Sequence, residues 1–180
     1  MGSSDSGVGG RTNTASGSGL HDDGKERLKV GVSDAHVTDR DVVLVTSGLG
    51  SCLGVALYDP TTGIGGLLHA MLPESADHPG PPEKFVVEGI DEMLAALDRA
   101  GASRRSIRAK LAGASSMLDL ETESASVGEQ NVAAAERALD ERNVPIEGSD
   151  TGGSNGRSLK FEPAAGELAV SSADGDRRVL

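Results

Sequence analysis

Short apolar runs separated by turn residues dominate the first half of the chain and predict β-strands. LKVGV (28–32) alternates apolar and polar positions, and DVVLVT (41–46) is a β-branched run typical of a buried strand. CLGVALY (52–58) and GIGGLLHA (63–70) flank DPTT (59–62), whose residues favour turns. The two longer runs are therefore predicted to form a β-hairpin.

Two amphipathic patterns in the second half of the chain predict helices. Apolar residues recur at helical spacing over about 83–100, where Pro82 and Gly101 mark the ends, and again over about 129–142. The remaining strands are predicted at 107–113, 144–148, 157–162 and 167–171. Strands and helices do not alternate strictly, so we expect an α+β fold, with two main helices packed on a layered mixed β-sheet or sandwich.

Composition divides the chain into three parts. Residues 1–27 are rich in Gly, Ser and Asp and offer almost nothing to bury, so we expect a disordered tail there. The ordered domain is expected over 28–172, and residues 173–180 are expected to fray. Aromatic residues make up only 2% of the chain, so aliphatic side chains must supply the core.

The charge of the chain restricts its partners. A net charge of −11 argues against binding to nucleic acid or to an anionic membrane, because either would need a basic surface. Five lysines and twelve arginines face 28 acidic residues, a balance typical of salt-adapted proteins, with ordinary acidity for solubility as the alternative. The first residues lack the apolar run of a signal peptide, and no later run could span a bilayer, so we expect a cytoplasmic protein without membrane insertion.

The single cysteine, Cys52, is the main candidate for chemistry. It cannot form an internal disulfide, and the Cys and His spacings do not resemble a zinc site, so no metal ligand is predicted. If DPTT is the hairpin loop and Tyr58 pairs with Gly63, then Cys52 lies directly opposite His69. Their Cβ atoms would then be about 4.5–5.5 Å apart, whereas a slip of one residue would put them on opposite faces.

A cysteine beside a histidine suits nucleophilic catalysis. The thiolate is the reactive form, and a neighbouring imidazole favours it. Backbone N–H groups of the Gly-rich approach, near Gly50 and Ser51, could hold an oxyanion. Asp41 and Thr46 are candidates for the group that orients the imidazole. On spacing alone, however, a lone cysteine is more often a small buried apolar residue.

A dinucleotide-binding turn is a competing interpretation of the same stretch. VVLVT followed by GLGSCLG resembles the strand and glycine-rich turn of such a fold. The glycines should then open a helix, but VALYDP reaches a turn within a few residues, and Asp59 lies in that turn rather than on a following strand. The context therefore argues against a dinucleotide site.

Five motifs in sequence order resemble the CheD family of chemoreceptor glutamine deamidases. They are LGSCLGVALYDP (49–60), GGLLHAMLP (65–73), KLAGASSM (110–117), VGEQN (127–131) and DTGGSNGRSLKF (150–161). The acidic, lysine-poor composition suggests a haloarchaeal type. One departure is Ser116, which stands where the family usually has Asn, and it concerns substrate or partner contacts rather than the catalytic residues.

The resemblance implies a cysteine-hydrolase fold related to deamidating toxins and a Cys–His–Thr triad. The nucleophile falls on Cys52, the base on His69 and the third member on Thr46. The implied reaction converts glutamine to glutamate on the cytoplasmic helices of chemoreceptors and releases ammonia, without metal or cofactor. The alternative that the resemblance leaves open is a regulatory binding partner of the CheC phosphatase with little catalysis of its own.

Overall fold

Two five-stranded sheets pack face to face in the computed structural model, which describes residues 24–116 and 124–180. In spatial order, the first sheet contains β1 (Arg27–Lys29), β3 (Val43–Leu49), β8 (Arg157–Glu162), β9 (Glu167–Ser172) and β10 (Arg177–Val179). The second contains β2 (Asp34–Thr38), β5 (Gly65–Ala70), β4 (Leu53–Tyr58), β6 (Arg108–Gly113) and β7 (Ile146–Thr151). Both sheets are mixed, because β1 pairs with β3 and β6 pairs with β7 in parallel.

Two helices cover the outer face of the second sheet. They are α1 (Val86–Ala100) and α2 (Val127–Glu141), and short 3-10 turns lie at Pro82–Lys84 and Arg104–Ser106. Helix α1 packs on β2, β4 and β5, and α2 packs on β4 and β7. This confirms the predicted α+β fold, with two helices on a layered mixed sandwich.

The central strands β4 and β5 separate two hydrophobic cores. Every residue of both strands is buried, which explains why their sequences are continuous apolar runs. Leu53, Val55 and Leu68 point toward the helices, whereas Ala56 and Leu67 lie in the core between the sheets. Because side chains alternate along a strand, His69 shares the inner face with Leu67 and points toward the first sheet.

Local capping sets the helix ends. Helix α2 begins with a capping box, in which Ser126 and Glu129 each accept a hydrogen bond from the other's backbone N–H. Helix α1 ends at Gly101, whose φ of 102° is left-handed and suits glycine. Helix α1 begins later than the sequence predicts, because the Lys84 carbonyl accepts hydrogen bonds from Met71 and Leu72 and holds this segment against the end of β5.

The predicted hairpin is present, but the predicted pairing of its strands is wrong. Tyr58 pairs with Gly65 rather than Gly63, because the loop continues to Ile64, whose carbonyl accepts a hydrogen bond from the Asp59 amide. The register is therefore shifted by two residues, and Gly54, not Cys52, lies opposite His69. A shift of two preserves the face of every side chain, so Cys52 stays on the face that carries His69.

The structure also differs from the sequence prediction at β2 and at the end of the chain. Strand β2 lies where no strand is predicted: it is an edge strand beside β5, and only Thr38 of its five residues is buried. At the other end of the chain, β10 pairs with β9 at 177–179, within the segment for which the sequence predicts fraying. Most of the predicted tail, residues 1–23, lies outside the described residues. Neither described helix is long and apolar enough to cross a bilayer.

Candidate active site

A hydrogen bond between the two sheets fixes the orientation of His69. Thr46 on β3 and His69 on β5 both lie in the interior, with 4% and 0% of their surfaces exposed. The distance between Thr46 Oγ1 and His69 Nδ1 is 2.8 Å. The other ring nitrogen, Nε2, is buried and has no hydrogen-bond partner among the residues that the structure describes. One nitrogen of the ring is thus held by Thr46, and the other has no hydrogen bond to a described residue.

The surroundings of His69 favour a neutral ring. Burial lowers the pKa of the imidazole from its ordinary value of 6.5, because a charged ring would lose its hydration. At neutral pH the side chain is therefore an uncharged base. Asp41, the other residue considered as an orienting group, is far more exposed and pairs with Lys25 at 3.0 Å.

Cys52 lies one residue before β4, on the strand that pairs with the strand of His69. The Cys52 carbonyl accepts a hydrogen bond of 2.7 Å from the Ala114 amide, so the pairing with β6 extends to this residue. Since Gly54 faces His69, Cys52 is the diagonal neighbour of His69 on the same face. Partial burial raises the pKa of the thiol above 9.0, while its own backbone N–H acts in the opposite direction.

The carbonyl groups of three consecutive residues, Gly50, Ser51 and Cys52, accept hydrogen bonds from residues outside this segment. The Gly50 carbonyl accepts from the amide and hydroxyl of Ser115, at 2.8 and 3.0 Å. The Ser51 carbonyl accepts from Asn131 Nδ2 at 2.9 Å, and the Cys52 carbonyl accepts from Ala114. In a trans peptide the N–H points away from the C=O, so these bonds fix the direction of the N–H groups that follow.

Two of the residues that hold these carbonyls were not assigned a role from the sequence. Asn131 is fully buried in the first turns of α2, and Ser115 has only 1% of its surface exposed. Asn131 could have been noticed, because it is a polar residue on the same helix face as the buried Ala134, Ala135 and Ala138. Ser115 carries no such signal, since small-residue loops are common.

Two glycines and the loop after β6 meet beside the site. The Gly152 amide donates to the Gly113 carbonyl, and the Ser116 amide donates to the Gly153 carbonyl, at 3.0 and 2.8 Å. The Ser116 hydroxyl lies 3.0 Å from the hydroxyl of Ser126, the residue that caps α2. Ser116, where the sequence departs from the family pattern, thus supports the start of the helix that carries Asn131.

Within 24–116 and 124–180, no three His, Cys, Asp or Glu side chains are grouped closely enough to hold a metal ion. The structure joins His69 to Thr46 by a hydrogen bond, and it places Cys52 just before the strand that pairs with the strand of His69.

Comparison with known proteins connects this site to a family. Residues 71–172 match the family model described as CheD chemotactic sensory transduction. The chain is 44% identical over 156 residues to the probable chemoreceptor glutamine deamidase CheD of Haloarcula marismortui, covering 86% of this chain and 90% of the relative. It is 41% identical over 160 residues to the protein of the same name from Natronomonas pharaonis, covering 88% and 95%.

The relatives cover the candidate site, although the family model begins after it. A match over 86% of this chain necessarily includes residues 46–69, the stretch from Thr46 to His69. Both relatives come from haloarchaea, which fits the acidic, lysine-poor composition. Among solved structures, the Neisseria meningitidis protein NMB0706 of family DUF152 is 13% identical, with a TM-score of 0.49, covering 73% of this chain and 65% of that chain. Family membership therefore rests on the relatives and the family model.

Proposed function

Because this chain belongs to the CheD family, we propose that it is a protein-glutamine deamidase, which converts glutamine side chains of chemoreceptors to glutamate and releases ammonia. The observation that carries the proposal is the buried bond between Thr46 and His69, which leaves His69 Nε2 without a partner among the described residues, on the face of the hairpin that also carries Cys52. The relatives' names supply the substrate class.

In the first step His69 acts as a general base toward Cys52. The Nδ1–H of the neutral imidazole donates to Thr46 Oγ1, and Nε2 takes the proton from the thiol as Sγ attacks the carbon of the glutamine side-chain amide. The C=O double bond becomes a C–O single bond, and the oxygen takes the negative charge. Since burial raises the pKa of the thiol and lowers that of the imidazole, both groups are neutral before the substrate arrives.

Backbone amides stabilise the oxyanion in this scheme. The sequence pointed to the amides near Gly50 and Ser51. With the Gly50 and Ser51 carbonyls held by Ser115 and Asn131, the N–H groups of Ser51 and Cys52 point to the opposite side of each peptide. Donors that are fixed before the reaction need no reorganisation, which is what makes such sites effective.

The second half of the reaction returns the enzyme to its starting state. The tetrahedral intermediate collapses, the C–N bond breaks, and the imidazolium of His69 protonates the leaving nitrogen to give ammonia and a Cys52 thioester. Water then loses a proton to His69 and attacks the thioester carbon. The C–S bond breaks, the thiolate recovers the proton from His69, and the receptor side chain leaves as a carboxylic acid, which loses its proton to water to give glutamate. The scheme uses only groups of this chain and water.

The natural substrate in this proposal is the cytoplasmic helical part of a chemoreceptor, and the enzyme acts in the cytoplasm. The test is to incubate the full chain with receptor cytoplasmic helices at low and high salt and to map the peptides by mass spectrometry. Conversion of specific glutamines to glutamate with release of ammonia supports the proposal. Receptor glutamines that stay unchanged at both salt concentrations contradict it.

A CheC-type phosphatase is the second partner that we propose, on the strength of the family resemblance. The same incubation separates the two roles when CheC is added and its binding is measured by calorimetry. A chain that binds CheC but converts no receptor glutamine is an adaptor and not an enzyme. A chain that converts glutamine and is inhibited by CheC has both roles.

A further inference from the structure

Asn131 joins the two strand ends that carry the proposed nucleophile and base. Its Nδ2 donates to the Ser51 carbonyl at 2.9 Å and to the Met71 carbonyl at 3.0 Å. Ser51 directly precedes Cys52, and Met71 follows His69 by two residues. An amide NH2 group has two hydrogens, so both of its donors are used on these two carbonyls.

We propose that Asn131 is a positioning residue for the deamidation, which fixes the Cys52 amide toward the reacting atoms and holds the Cys52 and His69 strand ends at a set distance. The inference rests on the proposed function, because it assigns a role within that reaction. No other described side chain donates to the Ser51 carbonyl.

The rigidity of the peptide bond explains how Asn131 can fix the direction of the Cys52 amide. The group between Ser51 and Cys52 is planar and trans, so a carbonyl held on one side fixes the N–H on the other side. The Cys52 N–H acts to lower the pKa of the thiol, and so it favours the thiolate. The bond from Asn131 therefore acts on the cysteine through one rigid group.

Only a side chain with two donor hydrogens can hold both strand ends in this way. Both of the bonds that Asn131 makes need a donor, since both partners are carbonyl oxygens. A carboxylate or an apolar side chain of similar shape has no donor to offer. The remaining atom, Oδ1, is buried without a hydrogen-bond partner among the described residues, a costly arrangement that stability alone would not favour.

The neighbours of Asn131 on the helix show what an ordinary packing residue looks like there. The buried face of α2 continues with Ala134, Ala135, Ala138 and Leu139, all apolar. An apolar residue at position 131 would complete this face. The sequence instead places an amide where the helix reaches the ends of β4 and β5.

The test compares Asn131→Leu and Asn131→Ala with two controls in the full chain. Gln130→Glu removes a neighbouring amide whose Nε2 donates to the Ala125 carbonyl, on the exposed side of the helix. Leu139→Ala weakens the packing of the same helix at a fully buried position away from the site. The second Asn131 variant is included in case one of the two does not fold. Readouts are the kcat and KM for receptor glutamine, and the pH dependence of iodoacetamide alkylation, which reports on Cys52 because it is the only cysteine.

We expect both Asn131 variants to lose about tenfold in kcat, the net effect of one or two hydrogen bonds, with KM changed by less than about twofold. Their alkylation profiles should shift to higher pH, while Gln130→Glu and Leu139→Ala keep the wild-type profile. Wild-type kcat and alkylation in a folded Asn131 variant, or the same shift in Leu139→Ala, would overturn the inference. If the wild-type chain converts no glutamine, the proposed function fails, and the alkylation profiles still decide whether Asn131 positions Cys52.

Discussion

Buried polar atoms are hydrogen-bonded at the turn end of the β4–β5 hairpin, whereas at its open end some of them are unpaired among the residues that the structure describes. At the turn end, Asp59 is fully buried, and both of its carboxylate oxygens are satisfied: Oδ1 accepts from the amide and hydroxyl of Thr61 at 2.8 and 2.6 Å, and Oδ2 accepts from the Ser103 amide at 2.7 Å. At the open end, near Cys52, His69 Nε2 and Asn131 Oδ1 are buried without hydrogen-bond partners among the described residues.

This difference is the one expected between a structural site and the proposed reactive site. Buried polar atoms are nearly always paired, because leaving one unpaired costs roughly 1–3 kcal/mol. The turn end follows that rule, and its carboxylate joins the hairpin loop to the segment between α1 and β6. At the open end, His69 Nε2 is buried and unpaired among the described residues, and it is the nitrogen that the proposed reaction needs. The comparison predicts that changes at the open end affect rate, and changes at the turn end affect stability.

The largest effect is expected at the open end, from His69→Gln. This change removes the proposed general base, and we expect kcat to fall by about 10²–10⁴-fold while the thermal midpoint stays close to that of the wild type. Ammonia release measures the first quantity and circular dichroism the second. A loss of less than about tenfold would mean that His69 is not the base.

Asp59→Asn tests the turn end. The carboxylate accepts several hydrogen bonds, so we expect the free energy of unfolding to fall by about 1.5–3 kcal/mol, with the kcat of the folded protein unchanged. Urea unfolding gives the first value, and Asp39→Asn, at an exposed position, is the matched control. A large loss of kcat in a stable Asp59→Asn protein would erase the distinction between the two ends.

Low pH should remove the stabilisation that the Asp59 carboxylate gives to the wild-type chain. Burial raises the pKa of Asp59, but the hydrogen bonds from Thr61, Ser103 and Thr62 outweigh it and lower the pKa to about 2. The folded state therefore binds this proton less readily than the unfolded state does. The stabilisation is fully present above the ordinary value of 3.8 and is lost as the pH falls from there toward 2. In urea unfolding from pH 5 to 2, Asp59→Asn should show a smaller pH dependence; an unchanged slope would contradict this assignment.

A smaller effect is expected from Thr46→Val, which keeps the shape of the side chain and removes its hydroxyl. Loss of the hydrogen bond to His69 Nδ1 should lower kcat by about tenfold, the equivalent of ~1.4 kcal/mol. Thr46→Ser keeps the hydroxyl and is the matched control. Equal rates for the two variants would show that this bond does not matter for the reaction.

The smallest change concerns the pH profile of the wild-type enzyme. Because burial lowers the pKa of His69, the imidazole is less than half protonated at pH 6.5, where an ordinary histidine would be half protonated. We expect the fall of kcat/KM toward acid to be centred below pH 6.5. A decline centred above pH 6.5 would show that the base is not a buried, neutral imidazole.

The sequence was most informative where structure depends on neighbouring residues. Apolar runs identified β4 and β5, and helical spacing identified α1, because these elements are buried along the whole of at least one face. The hairpin register could not be predicted from the DPTT turn, because the loop continues to Ile64, whose carbonyl accepts a hydrogen bond from the Asp59 amide. Strand β2 was missed because an edge strand with only one buried residue in five has little apolar pattern.

The candidate site shows the same limit. Cys52, His69 and Thr46 could be named from the family motifs, but the bond between Thr46 and His69 crosses from one sheet to the other and has no local sequence pattern. The role of Asn131 depends on two carbonyls that lie 80 and 60 residues away along the chain. Contacts of that kind become visible only in the folded structure.

The most direct test of the central claim is conversion of receptor glutamine by Cys52→Ala. Cysteine and alanine are both small, so the variant should fold, which a thermal melt can verify. If Cys52 is the nucleophile, peptide mapping finds glutamate in receptor helices treated with the wild-type chain and none above background in those treated with Cys52→Ala. Conversion by the variant at the wild-type rate would show that the thiol at the open end is not the nucleophile.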